Sequence, residues 1–473
     1  MTTAIVVGSG PNGLAAAARL ARAGLAVTVL EASDTIGGGV RSSEMIVPGL
    51  VHDHCSAFHP LAVASPFLSS LDLASSGLSW RYPEIDCVHV LDGGSAALYR
   101  SLDRTADGLG TDGRGWRRQF EPLVAHFADL LSEIGRPILH VPRHPVLLAR
   151  FGVPAMAPAT VLARRWGTPQ ARALWAGVAA HAFYPLGRPF TSAVGLMLIT
   201  AAHAQGWPVA EGGSQAIADA LVADIRRHGG SIEVGQRVGS IADLAKHDVL
   251  MLDVSPSIAA DILGDRLPRR VARAYRRFRH GPGAFKVDFA VEGGVPWAAD
   301  DARRAGTVHL GGTIDEVAAN EAAVHRGQMP ERPFVLVGQQ YLADPGRSVG
   351  SVHPLWTYAH VPHGYTGDAT EAIIAQIERF ALGFRERIVG TAVRSATEMS
   401  VYNANYIGGD IAGGASSPVQ LLFRPRVAVN PYATGVRGAY LCSASTPPGA
   451  GAHGMCGANA AAQALADLGL PPP

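Results

Sequence analysis

The segment Gly8-Ser9-Gly10-Pro11-Asn12-Gly13 constrains the fold of this chain more than any other feature. It follows Ala4-Ile5-Val6-Val7, a short apolar run rich in β-branched residues that reads as a buried strand. A helix is expected over Leu14 to Ala23, and strand character resumes at Ala26-Val27-Thr28-Val29-Leu30. The unit is βαβ, and each glycine then has its own job. Gly8 allows the tight turn, Gly10 lets the backbone approach a pyrophosphate, and Gly13 lets the helix pack closely on the strand. Pro11 and Asn12 stand where the helix N-terminus faces the anion. Glu31 closes the second strand eighteen residues after Gly13, where a carboxylate accepts the hydroxyls of an adenosine ribose and repels a 2′-phosphate.

Both flavin and nicotinamide dinucleotides carry that ADP moiety, and the continuation separates them. Ala32-Ser33-Asp34-Thr35-Ile36-Gly37-Gly38-Gly39-Val40-Arg41 resembles the second signature of flavin enzymes of the amine oxidase and phytoene desaturase superfamily. The resemblance implies FAD as cofactor, with Glu31 and Ala32 at the ribose end, Gly37 and Gly38 against the phosphates and Arg41 directed towards the flavin. Glu211-Gly212-Gly213-Ser214-Gln215-Ala216 is similar to the motif that opens the family's second FAD segment, and Val238 matches the position whose backbone meets adenine. The run from Leu441 to Ala461, with Ser443, Gly454, Met455 and Gly457, looks like the C-terminal flavin motif of phytoene desaturase-related proteins. That group includes the branch called pyridine nucleotide-disulfide oxidoreductase domain-containing protein 2. A helix starting near Gly457 would aim its positive end at the flavin N1/O2 region and favour reduction.

The expected fold class is α/β. A discontinuous Rossmann-like FAD-binding domain of GDP dissociation inhibitor-like architecture, residues 1–79, 211–280 and 426–473, accompanies a substrate domain, residues 80–210 and 281–425. The second domain is expected to combine proline-punctuated helices over 80–210 with a mixed or antiparallel sheet from strands near 284–291, 307–311, 334–342 and 355–361. A basic helix over Pro268 to His280 reads as a solvated face. The 473 residues suffice for two packed domains, and forty basic against thirty-nine acidic residues argue against nucleic acid as a partner.

Cys55, Cys87, Cys442 and Cys456 form no C-x-x-C pair, which excludes a dithiol relay and fits reduced thiols. No metal site is expected, because the histidines show no ligand spacing. Two residues are candidates for catalysis. Lys286, one of only two lysines, is similar in position to a lysine that holds a water near flavin N5 in amine oxidase relatives, and the alternative is a pair with Asp288 along one strand face. His59 could serve as acid or base beside the flavin, or hold a loop by hydrogen bonds.

From Ile134 to Ala210 there is no Asp, Glu or Lys, whereas proportion predicts about six acidic residues. Arginines remain, among them Arg143, Arg150, Arg164, Arg165, Arg172 and Arg188. Such a surface suits an anionic lipid surface, a long substrate with a carboxylate, or ordinary helices over the FAD domain. The expected function is FAD-dependent oxidation of a long apolar substrate, a polyene or acyl chain, by hydride transfer to flavin N5, with oxygen or a quinone as electron acceptor. Alternatives are a redox-neutral lipid isomerase or hydratase and a flavin-bound protein that binds lipid without catalysis. A cytoplasmic location is expected, with peripheral contact at the inner face of the membrane.

Overall fold

The computed structural model describes residues 1–471. Five parallel strands from distant parts of the chain form one sheet, in the spatial order Ala439–Leu441, Val249–Leu252, Thr3–Val7, Ala26–Leu30, Ser231–Glu233. Its central strands are apolar on both faces because helices cover both. Ala4 and Val6 point into a core with the helices Pro11–Arg22, Gln215–Arg227 and Met455–Asp467. Ile5 and Val7 point the other way, into a core with Pro256–Leu263 and Arg269–Arg276.

The first helix begins at Pro11, three positions before the expected start, because proline at a first turn has no N–H to leave unsatisfied. The basic helix is only Arg269–Arg276. It buries Val271 and Tyr275 and leaves its arginines exposed. The C-terminal helix begins at Met455.

A second sheet has seven strands, in the order Ile388–Arg394, Gly283–Glu292, Val352–Val361, Val335–Gly338, Ala305–Leu310, Ile85–Leu91, Gly94–Leu98. Neighbours are antiparallel except Ala305–Leu310 against Ile85–Leu91, so the sheet is mixed, as expected.

Two local expectations are corrected. The stretch from residue 80 is not helical at its start, because Ile85–Leu91 and Gly94–Leu98 form a hairpin around Asp92-Gly93, a dipeptide that favours tight hairpin turns. The strand expected over 334–342 stops at Gly338, before a 3-10 turn at Gln340–Leu342. Ile388–Arg394 is an edge strand with alternating burial that the sequence reading did not anticipate.

Helices Gly113–Ala125, Pro145–Ala155, Pro169–Ala179 and Thr191–Gln205 share an aromatic-rich core with one face of this sheet. No single helix among the described residues is long and apolar enough to cross a membrane.

Candidate functional site

Ligands of parallel α/β sheets bind beyond the carboxyl ends of the strands. There the chain leaves a cavity of about 430 Å³ that runs from Gln236, Arg237 and Val238 past Gly8, Gly10 and Asn12 to the second sheet. The glycines are demanded by close approach. A Cβ on Gly10 would lie 2.7 Å from Asp253 Oδ2, one on Gly13 would overlap the carbonyl oxygen of Gly8, and one on Gly38 would lie 3.0 Å from Gly10 Cα. Both glycine signatures therefore press together at the start of the Pro11–Arg22 helix.

Glu31 is held in place by donors from the protein. Its Oε2 accepts the Ser9 N–H at 2.9 Å and the Ser9 hydroxyl at 2.6 Å, and its Oε1 accepts the Ser33 N–H at 2.9 Å. Arg41 adds a longer contact at 3.3 Å and lies over the Tyr402 ring at 5.3 Å. Asn12 Oδ1 is buried without a partner at the first turn of the helix, an acceptor left over in a dinucleotide cradle. Glycine turn and ribose carboxylate at a helix N-terminus together fit an adenine dinucleotide.

Of the residues singled out in the sequence, Gly8, Gly10, Pro11, Asn12, Glu31, Ala32, Gly38, Arg41, Val238 and Ser443 line this cavity. Gly13, Gly37, Gly454, Met455 and Gly457 stand behind it. Gly37, at φ 111°, starts the short turn that carries Gly38. Gly454, at φ 68°, begins the C-terminal helix, and a Cβ on Gly457 would overlap the carbonyl oxygen of Asn12. These two glycines seat one helix on another, while the preceding Ala450, Gly451 and Ala452 face the cavity.

Neither catalytic candidate lines the cavity. Lys286 is buried with its Nζ bonded to Asp288, the strand-face pair weighed as the alternative, and lies 5.8 Å from the ring of Trp356. Burial lowers its pKa and Asp288 opposes that shift. Trp356 stands on the cavity wall. His59 Nε2 lies 2.8 Å from Ser214 Oγ, and burial brings its pKa down to about 4. His59 thus contacts Ser214, which precedes the Gln215–Arg227 helix, rather than the cavity.

Several residues at the site were not singled out in the sequence. Asp253 follows the Val249–Leu252 strand, and its Oδ2 accepts the Gly13 N–H at 2.9 Å. Tyr402-Asn403-Ala404-Asn405-Tyr406 closes one side of the cavity. Tyr402 donates its hydroxyl to the Gly38 carbonyl at 2.8 Å, and Asn405 Oδ1 accepts the Ser255 N–H at 2.8 Å. A run of tyrosines and asparagines is unusual enough to have flagged this loop.

The far wall consists of Phe183, Trp207, Leu336, Trp356, Tyr358 and His181. His181 Nε2 is 3.1 Å from His309 Nε2, whose Nδ1 in turn lies 3.5 Å from Cys87 Sγ. Burial, aided by His360, lowers the pKa of His181 to about 3, so the ring is neutral at physiological pH.

A Rossmann-like nucleotide domain joined to a mixed-sheet domain over one shared cavity is a fold this chain shares with solved amine oxidases. The family described as NAD(P)-binding Rossmann-like domain matches residues 6–69. The chain is similar over its length to pyridine nucleotide-disulfide oxidoreductase domain-containing protein 2 of Rattus norvegicus, 24% identical over 98% of this chain and 93% of that protein. It is also similar to hydroxyneurosporene desaturase of Cereibacter sphaeroides, 27% identical over 70% of this chain and 73% of the desaturase. Putrescine oxidase shares the fold, with a TM-score of 0.61 at 19% identity, covering 99% of this chain and 98% of that one. The chain is thus similar to relatives named as a desaturase and as an oxidoreductase domain-containing protein, in line with the resemblance read from its motifs.

Proposed function

We propose that this chain holds FAD in the cavity and dehydrogenates a long apolar substrate, a polyene or acyl chain, by hydride transfer to flavin N5. The observation that carries the reading is continuity: the same cavity is lined by the dinucleotide glycines and Glu31 at one end and by an aromatic wall at the other. Gly8, Gly10 and Asn12 would hold the diphosphate, Val238 the adenine, and Arg41, Ser443 and the loop at Ala450 the flavin end. Bound there, FAD supplies the two-electron acceptor.

The chain's own groups do the rest. Phe183, Trp207, Leu336 and Trp356 exclude water and favour an apolar chain by about 25 cal/mol per Å² buried. That term grows smoothly with length, so it selects a class of substrate rather than one member. Loss of a hydride leaves a cationic carbon whose neighbouring C–H is acidic enough for a weak base. His181, neutral and on the wall, is the group placed to take that proton. Oxygen or a quinone accepts the electrons afterwards.

The test begins with the visible spectrum of the purified, desalted protein, followed by anaerobic titration with a lipid extract. Flavin bands near one per chain that bleach with a lipid fraction, whose product has lost two hydrogens, are the expected result. A product of unchanged formula would point to isomerisation, and a colourless protein that takes up no FAD would overturn the cofactor assignment.

A further inference from the structure

An apolar stripe faces solvent on the helical side of the second domain. The helix Pro145–Ala155 turns Leu147, Phe151 and Ala155 inward, at spacings of four, and presents Val146, Arg150 and Val153 outward. A surface helix ordinarily puts polar side chains on that face. Val146 is 68% exposed and Val153 64%. The stripe continues on both sides, through Ile138, Leu139 and Val141 in the preceding loop and through Met156 and Val161 beyond the helix.

Charge on this face has one sign. Arg143, Arg150, Arg164 and Arg165 are exposed, and no acidic residue occurs from Ile134 to Ala210. The two nearest acids are engaged. Glu133 is buried, accepting the N–H groups of Arg143 at 2.7 Å and His144 at 2.8 Å and pairing with His140 Nε2 at 2.7 Å, which pins the loop that carries Val141. Asp129 lies 3.8 Å from His126 and 3.6 Å from His144. After the helix the chain bends by 100° into Ala159–Arg165, and among the described residues no single helix is long and apolar enough to cross a membrane.

We propose that residues 138–165 form a docking surface for an anionic lipid bilayer, on which the protein lies without crossing. The valines and the loop side chains enter the boundary between headgroups and acyl chains, and the arginines meet lipid phosphates. Apolar side chains interleaved with unpaired cations over an acid-free segment favour lipid phosphate over a protein partner, whose surface would bring hydrogen-bonding groups of both signs. The inference goes beyond the redox reading and stands without it.

The purified full-length protein is sedimented with vesicles of phosphatidylcholine containing phosphatidylglycerol, and with phosphatidylcholine alone. The expected result is co-sedimentation with the anionic vesicles, weakened by salt. The variants V146S/V153S and R143Q/R150Q should each lower the bound fraction about tenfold, with melting temperature and flavin content unchanged. Sedimentation of both variants to the wild-type extent, or no preference for phosphatidylglycerol, would overturn the proposal. So would a wild-type dimer in solution that V146S/V153S dissociates, since the stripe would then be an interface between copies of the chain.

Discussion

Asp253 shows how one side chain couples the cradle to pH. Its carboxyl sits at the N-terminus of the Pro11–Arg22 helix, in front of the N–H groups that a diphosphate needs. Burial and the nearby charge of Glu31 push its pKa up to about 7, against the pull of the Gly13 and Gly10 N–H groups. An unfolded aspartate ionises near 4, so between about pH 4 and pH 7 the unfolded chain releases a proton that the folded chain keeps, and stability falls as pH rises through that window. Asp253→Asn should therefore raise the melting temperature more at about pH 8 than at about pH 5, by thermal denaturation; an equal gain at both would refute the assignment. FAD binding to the wild type should also weaken over the same rise in pH, because the diphosphate and a carboxylate compete for the same donors, and the Asn variant should show a flatter profile in a fluorescence titration. Lys286 teaches the complementary point. Its i, i+2 neighbour Asp288 is visible in the sequence, but its burial behind Trp356 is not.

Among the elements, the seating of the Met455–Asp467 helix on Pro11–Arg22 depends on Gly457. A methyl group there would meet the carbonyl oxygen of Asn12, which is backbone and has little room to yield. Gly457→Ala should cost about 1–3 kcal/mol in urea denaturation and reduce bound flavin, because the displaced helix carries the 450–452 loop away from the cavity. Wild-type stability in that variant would show that the helices have slack. The glycine itself was legible as part of a flavin-like motif, but its close packing on the neighbouring helix was not. The hairpin Ile85–Leu91 and Gly94–Leu98 was hidden for a related reason. It lies at the start of a helical stretch, and the first strand's parallel partner, Ala305–Leu310, lies more than two hundred residues downstream.

At the scale of the whole molecule, Arg347 ties the pieces together. It is fully buried, with Nη1 2.5 Å from Asp53 Oδ2, Nε 3.0 Å from Asp344 Oδ2 and Nη2 2.6 Å from the Ala210 carbonyl. Asp53 also accepts from Ser42 Oγ at 2.6 Å and from the Ser214 N–H at 2.8 Å. Burial alone would raise the Asp53 pKa, but Arg347 and these donors outweigh it and hold the carboxyl at about 2. A depressed carboxyl stabilises the fold above about pH 4, and that contribution is lost as pH falls from about 4 to about 2. Arg347→Met would leave Asp53 charged and unpaired, a loss of about 3–5 kcal/mol, and should move acid unfolding to higher pH when followed by circular dichroism. An unchanged acid transition would mean that the pair contributes nothing net.

What the sequence by itself determined is the part of the molecule made by neighbours along the chain. The phosphate turn, its helix and the closing acid are contiguous, and a backbone that must pass within contact distance of other atoms admits only glycine at Gly10 and Gly13. The resemblance to phytoene desaturase-like proteins rests on the same short runs. Only the tertiary structure decided what surrounds the cradle. Asp253, His181, Trp356 and the Tyr402–Tyr406 loop each come singly from different elements, and no local periodicity marks a residue whose partners lie a hundred or more positions away. Exposure of the stripe at Val146 and Val153 is likewise a property of packing, since a helix pattern gives the spacing of its faces but not which of them finds a neighbour.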